Sequence, residues 1–382
     1  MTIRRWRTLA LLFVGLIGLP LAALAGISWY YSESFKNDAL EPDREPDEFD
    51  MQVVEVDAGT ITLRRTDRAE DDGDWTQQGT FGLQWQGGYG QVGAILEVGH
   101  EEVVRAFVPG IGSPAVGELV RMDSFAFPAN PMNAHGIPFV HVTYQAPSGA
   151  FPAWFVAGTR DVWAIFVHGR GASRREALRA LPALHNLGIA ALVITYRNDP
   201  EAEPSSDGFH GFGETEWEDL QAATQYALNQ GAKRIVLVGY SMGGGIVMSF
   251  LYRSQLADRV AAVILDSPML DLSATADSRS RGVLGPLRTV GKAVVAWRFG
   301  VSWDDLNYLK NAHRLTTPVL LFHGDEDQRV PVSTSDALAN ARPDIVTYVR
   351  LRGVGHVRSW NSDPVRYETA IRGFLEATLS GE

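Results

Sequence analysis

From Phe139 to Leu379 short apolar runs alternate with stretches of helical spacing, and few folds accept that rhythm. Phe139–Tyr144 and Ala153–Val156 read as two opening strands, and Trp163–Val167 as a buried one. A helix is expected at Arg174–Leu187, a strand at Ala190–Thr195, a helix at Glu214–Asn229 and a strand at Arg234–Val238. Met242–Tyr252 follows as a helix and Val260–Leu265 as a strand. Val319–Phe322 and Val346–Leu351 are the last strands, before a closing helix at Pro364–Leu379. Strands separated by helices predict an α/β fold, a mostly parallel sheet with helices on both faces. Ligands of such sheets gather at the carboxyl ends of the strands.

One of those ends carries a serine. Ile235–Val238 runs straight into Gly239-Tyr240-Ser241-Met242-Gly243, so a buried strand ends in a sharp turn with Ser241 at its tip. A turn that tight between strand and helix has no room for a Cβ beside the serine, which gives Gly239 and Gly243 their role. A serine hydroxyl is a weak nucleophile at neutral pH and needs an adjacent base, for which histidine has the right pKa. His356, in Gly353-Val354-Gly355-His356 after the last strand, falls on the same sheet edge as Ser241. His210, in a glycine-rich loop, is its strongest rival.

The imidazole needs a carboxylate to fix its tautomer. Three acids follow the strand that ends at Phe322, in His323-Gly324-Asp325-Glu326-Asp327-Gln328-Arg329-Val330-Pro331. The third or fourth loop residue can reach sideways to the loop of His356, which favours Asp327; Asp325 ranks second, and Asp266, ending the strand beside the elbow, third. Charge developing on a carbonyl oxygen needs preorganised N–H donors. The backbone N–H of Met242 is one, at a helix N-terminus where the dipole adds to it. The second is expected from the backbone of Arg170, in His168-Gly169-Arg170-Gly171 after Val167.

Together HGRG at 168–171, GYSMGG at 239–244, HGDEDQRVP at 323–331 and GVGH at 353–356 resemble the α/β-hydrolase-fold serine hydrolases of the lipase, esterase and S33-type peptidase superfamily. The chain order Ser, Asp, His matches that fold. In relatives the H-G-x-x-D-x-x-V-P pattern carries the triad acid on its aspartate, here Asp327, and the resemblance covers about residues 139–379. The expected activity is cleavage of a carboxylic ester or thioester through an acyl-enzyme on Ser241, with His356 as base and Asp327 orienting it, and no cofactor. A serine peptidase of the same fold is the alternative. A surface binding module with a vestigial hydrolase core is the rival from another class.

The rest of the chain bounds where this happens. Residues 51–134 hold short β-type runs, among them Gln91–Val98, Val103–Val108 and Leu119–Met122, and read as a β-rich accessory module before a catalytic domain at 135–382. The stretch 271–315 interrupts the strand–helix rhythm and is a candidate lid. Arg4, Arg5 and Arg7 precede an uncharged run from Leu9 to Ile27, so residues 1–31 read as a signal anchor, or as a signal peptide ending at Ala23-Leu24-Ala25. Residues 32–50 are acidic and read as a solvated linker. Arginines before the run and acids after it place the body outside the cytoplasm, either as a single-pass protein of the cell membrane or secreted. A net charge of -11 with no basic stripe disfavours nucleic acid. No cysteine is present, which excludes disulfides and a thiol nucleophile, and no paired metal-ligand spacing appears. The expected partners are an acyl ester, lipid or peptide substrate and, through the N-terminal segment, a membrane.

Overall fold

Period-2 alternation of apolar and polar residues lets a strand bury one face, and the first unit of the fold closes six such strands on themselves. The computed structural model describes residues 18–42, 48–66 and 74–380. In it β1 (Met51–Asp57), β2 (Thr60–Arg65), β3 (Phe81–Trp85), β4 (Gly88–Val98), β5 (Glu102–Ile111) and β6 (Leu119–Asp123) form an antiparallel barrel in the order β1-β2-β5-β4-β3-β6. Val53, Ile61, Leu63, Phe81, Leu83, Val92, Val103, Phe107 and Val120 fill its interior. The β-rich module expected to reach residue 134 therefore ends, as a barrel, at Asp123.

The second unit is an eight-stranded sheet. Its strands are β7 (Val140–Ala146), β8 (Gly149–Val156), β9 (Val162–Val167), β10 (Ala190–Ile194), β11 (Arg234–Tyr240), β12 (Val260–Asp266), β13 (Val319–Gly324) and β14 (Val346–Leu351), ordered β14-β13-β12-β11-β9-β10-β8-β7. Only β8 runs against the others. β9 and β10 are buried at every position, as strands covered on both faces must be. The longer helices are α1 (Leu19–Phe35), α2 (Trp217–Asn229), α3 (Met242–Arg253), α4 (Leu272–Arg279), α5 (Gly285–Phe299), α6 (Val332–Ala341) and α7 (Pro364–Leu379). Successive residues of β11 serve opposite layers: Ile235 and Leu237 pack with α2 and α3, while Val236 and Val238 pack with α7.

Two expectations are corrected and one element is added. Arg174–Leu187 is not one helix: a tight 3-10 turn covers Arg174–Arg179 and a short helix Leu181–His185 follows. Pro182 explains the break, because its ring clashes with the carbonyl four residues back and it has no N–H to donate. Helix α6 was not legible as an element. The acidic stretch from Ser32 is not a solvated linker as far as Pro42: α1 runs through it to Phe35, a wider π turn continues to Leu40, and Ala39 and Leu40 are buried in the main core. Phe35 meets Trp303 edge-on at 5.3 Å, so the acids line the outside of a docked segment. Residues 1–17 of the expected anchor and 43–47 of the expected linker lie outside the described residues; among those described, no helix is long and apolar enough to cross a membrane.

The barrel docks beside the loop that carries His356. Thr80 N–H donates to Asn361 O at 2.8 Å, and Asn361 Nδ2 returns bonds to Thr80 O and Ser124 O at 2.8 and 2.9 Å. Arg175 pairs with Asp123 at the end of β6, and Arg179 donates to Val357 O at 2.7 Å.

Candidate active site

Ser241 stands between β11 and α3 with φ 49° and ψ -116°. A left-handed φ on a residue with a Cβ costs of order 1–3 kcal/mol and persists only where surroundings impose it. Here they do. A Cβ on Gly243 would lie 2.1 Å from Val167 O, and one on Gly239 2.8 Å from Gly243 O. The turn is held by Ser241 N–H donating to Asp266 O at 3.0 Å and by Met269 N–H donating to Ser241 O at 2.9 Å.

The structure brings the three expected side chains together. Ser241 Oγ lies 2.8 Å from His356 Nε2, and His356 Nδ1 lies 2.6 Å from Asp327 Oδ2. Oδ1 of Asp327 accepts the backbone N–H groups of Arg329 and Val330, both at 2.8 Å. The His356 side chain keeps 15% exposure, so it borders solvent at the sheet edge. Burial pushes its pKa below the ordinary histidine value, and the opposing pull of Asp327 does not fully restore it. Burial alone would raise Asp327, but the charge of His356 and the bonds from His323 and His356 hold its carboxyl far below the usual range.

The rivals fall elsewhere. Asp325 accepts Gly353 N–H at 2.8 Å and pairs with Arg350 at 3.0 Å, shaping the turn before His356. Asp266 is buried behind the elbow, takes Ser359 Oγ–H at 2.8 Å, and burial raises its pKa to about 6. His210 donates its backbone N–H to Leu40 O, and burial, with Arg170 adding to it, lowers the pKa of its ring to about 4.

Met242 opens α3 directly after Ser241. The Arg170 loop crosses close by, with an added Cβ on Gly169 only 3.1 Å from Ser241 Cβ. That loop is pinned from below: Gly169 N–H donates to Glu176 at 2.8 Å, and buried His168 lies 2.9 Å from both Asp199 Oδ2 and Gly169 O. Burial works against the charged form of His168, but Asp199 at its Nε2 raises its pKa above the ordinary value. The Arg170 guanidinium reaches back 3.4 Å to Glu41 O.

Sequence reasoning missed one wall of the site. Arg105, fully buried in the barrel, donates to the carbonyls of Trp75, Gln77, Gly79 and Gly93 at 2.8–3.1 Å. It thereby fixes the segment that sets Gln77 against the His356 loop, where a Cβ on Gly355 would sit 3.4 Å from Gln77 Nε2. Nothing in the sequence around Arg105 signals that reach. A depression of about 500 Å³ lined by Ala157–Thr159 and His185–Gly188 lies at the opposite end of the sheet and holds none of these groups.

Comparison with known proteins agrees with this architecture. A family model described as the prolyl oligopeptidase family matches residues 205–381, and one described as a domain of unknown function (DUF8805) matches residues 52–123, the barrel. Two Mycobacterium tuberculosis proteins, uncharacterized protein Rv2307c of strain H37Rv and uncharacterized protein MT2364 of strain CDC 1551, are each 26% identical over 216 residues, 55% of this chain and 68% of theirs. The Pyrococcus furiosus esterase Pf2001 superposes with a TM-score of 0.53 at 18% identity, covering 66% of this chain and 97% of that one. A second crystal form of the same esterase gives 0.52, covering 66% and 95%. Fold and site together make the chain a serine hydrolase of the α/β-hydrolase fold.

Proposed function

We propose that the protein cleaves a carboxylic ester or thioester through an acyl-enzyme on Ser241. The observation that carries this reading is the unbroken relay from Ser241 Oγ through His356 to Asp327, at 2.8 and 2.6 Å. As Oγ attacks the carbonyl carbon, His356 Nε2 takes its proton, and Asp327 stabilises the imidazolium. The N–H groups of Met242 and Arg170 are assigned to the oxyanion, each such donor being worth roughly 10² to 10³ in rate. Collapse expels the alcohol or thiol, which leaves with the proton from Nε2. Water then surrenders a proton to the same nitrogen, attacks the acyl carbon and frees the acid and the serine. The relay itself requires no cofactor.

Peptide hydrolysis is the second reading, favoured by the match of residues 205–381 to the prolyl oligopeptidase family. It uses the same steps with an amine as leaving group. A fluorophosphonate, which loses fluoride to Ser241 Oγ, is expected to label the wild type and not Ser241→Ala; equal labelling of both overturns the hydrolase reading. Turnover of matched ester and peptide substrates separates the two chemistries.

The same proposal places the body outside the cytoplasm, tethered by the N-terminal segment. Its support is the three arginines before the uncharged run from Leu9 to Ile27, the acids after it, and Trp29 and Tyr30 at the boundary. A cytosol-active reporter fused to the C-terminus is expected to stay silent, and strong signal overturns the placement.

A further inference from the structure

Helix α1 has two unlike halves. From Leu19 to Ile27 its side chains are exposed except at Leu24, and they are apolar all round, with Leu19 at 67% and Leu21 at 58%. From Ser28 onward the helix is packed on the body, and what it packs on is α5. Arg298 stacks over Trp29 at 3.8 Å, donates to Ser32 Oγ at 2.6 Å and pairs with Glu33 at 2.8 Å. The ring of Tyr31 lies so close over Gly291 that an added Cβ would stand 2.5 Å from it. Phe35 meets Trp303, which lies just past the end of α5 and donates its indole N–H to Lys292 O, so the contact between α1 and α5 extends to the end of α1.

Around that joint large apolar side chains stand uncovered. On α1 they are Trp29 and Tyr30; on α5 they are Val290 and Trp297, seven residues apart and so on one stripe, with Leu284 just ahead of the helix. Exposed apolar residues scattered singly are ordinary, but these cluster on two packed helices. One of the two continues outward as a segment with no polar face, which water does not cover favourably.

We propose that a lipid bilayer covers both helices: it takes the apolar end of α1, and α5 lies along its surface with Val290, Trp297 and Leu284 in the interfacial layer. This rests on the membrane tether proposed above and goes beyond it, because a tether alone leaves the catalytic domain free to tumble. Trp29, Tyr30 and Trp297 have the amphipathic rings that favour the headgroup level. The Arg298 joint fixes the angle between the entering helix and the lying one. The insertion 271–315 is then a platform on the membrane, not a flap free to swing. Its chain begins just after Met269, whose N–H holds the nucleophile turn.

The absence of cysteine makes the test direct. Full-length chains carrying Leu21→Cys, Val290→Cys, Trp297→Cys or Val365→Cys are labelled with an environment-sensitive nitrobenzoxadiazole dye. They are placed in vesicles of phosphatidylcholine and phosphatidylglycerol whose acyl chains bear a doxyl quencher. The expected result is loss of fluorescence at positions 21, 290 and 297 and none at 365, which is exposed on α7. Loss at 21 alone overturns this inference and leaves the tether standing. Loss at 290 and 297 without 21 removes the tether and with it the proposal that one bilayer covers both helices. No loss at any position overturns both, and equal loss at 365 overturns the platform.

Discussion

His323 Nε2 lies 3.1 Å from Asp327 Oδ2, the same oxygen that His356 Nδ1 reaches at 2.6 Å. The His323 ring is fully buried, with Nδ1 2.7 Å from Ser335 Oγ and Nε2 also 3.2 Å from Val330 O. Facing two acceptors, Nε2 carries the hydrogen and donates. His323 is therefore a positioning residue behind the triad acid. It steadies the carboxylate and draws electron density from it.

His323→Gln is expected to lower kcat about 10- to 100-fold with little change in KM. It should also move the acidic limb of the kcat/KM profile to higher pH, since a less shared Asp327 pulls harder on the His356 proton. Ser335→Ala should act in the same direction and more weakly. A fall in activity with an unmoved pH midpoint would leave His323 a packing residue only.

The base must be neutral to accept the serine proton, and burial holds His356 below its ordinary pKa. So kcat/KM is expected to fall as pH drops through a midpoint under about 6.5, and to be flat above it. Asp327→Asn should lower kcat by about 10⁴. Asp325→Asn should stay within a few-fold, because its oxygens serve Gly353 N–H and Arg350. The reverse ranking would reassign the acid. The depressed Asp327 also stabilises the fold above the ordinary aspartate pKa of about 3.9, and that contribution is lost as pH falls toward its folded value.

Asp266 presents the opposite sign. Its folded pKa of about 6 lies above the unfolded one, so its ionisation weakens the fold as pH rises through the interval between them. Oδ2 has no hydrogen-bond partner among the described residues. Asp266→Asn should raise Tm at pH 7, reflecting up to ~3 kcal/mol, and should do nothing at pH 4. Equal Tm shifts at both values, read by calorimetry, would contradict the assignment.

Arg105 is where the barrel and the site meet. Arg105→Met leaves the carbonyls of Trp75, Gln77, Gly79 and Gly93 without their donor, and a loss of about 3–5 kcal/mol is expected in denaturant unfolding of the barrel. Gln77→Ala removes only the side chain beside Gly355. It should change KM for esters with a large acyl or leaving group several-fold and spare small acetates; equal effects on both would take Gln77 off the substrate path.

The triad was legible because each member follows a strand that its own apolar run announces, and a parallel sheet brings all those strand ends to one edge. Asp327 over Asp325 was likewise a matter of how far a loop residue can reach. What stayed hidden depends on side chains crossing long sequence distances. Arg105 meets Trp75, His323 meets Ser335 across α6, and Arg298 meets Trp29, and none of these has a local pattern. The docked Ser32–Pro42 segment was misread because acidic composition describes only its outer side. The broken Arg174–Leu187 helix kept helical apolar spacing across a proline, so periodicity alone could not show the stop.

The ring of β1 to β6 has a consequence for how substrates are recognised. Every strand in it has a partner on each side over part of its length, and the closing seam between β1 and β6 spans only Met51–Val120 and Gln52–Leu119, so the ring exposes less edge to an extended polypeptide than an open sheet does. Capture by strand addition is thereby disfavoured. The barrel's expected contribution is then through its rim, by side chains such as Gln77 beside Gly355, which would select for the shape of a group and not for the backbone that bears it.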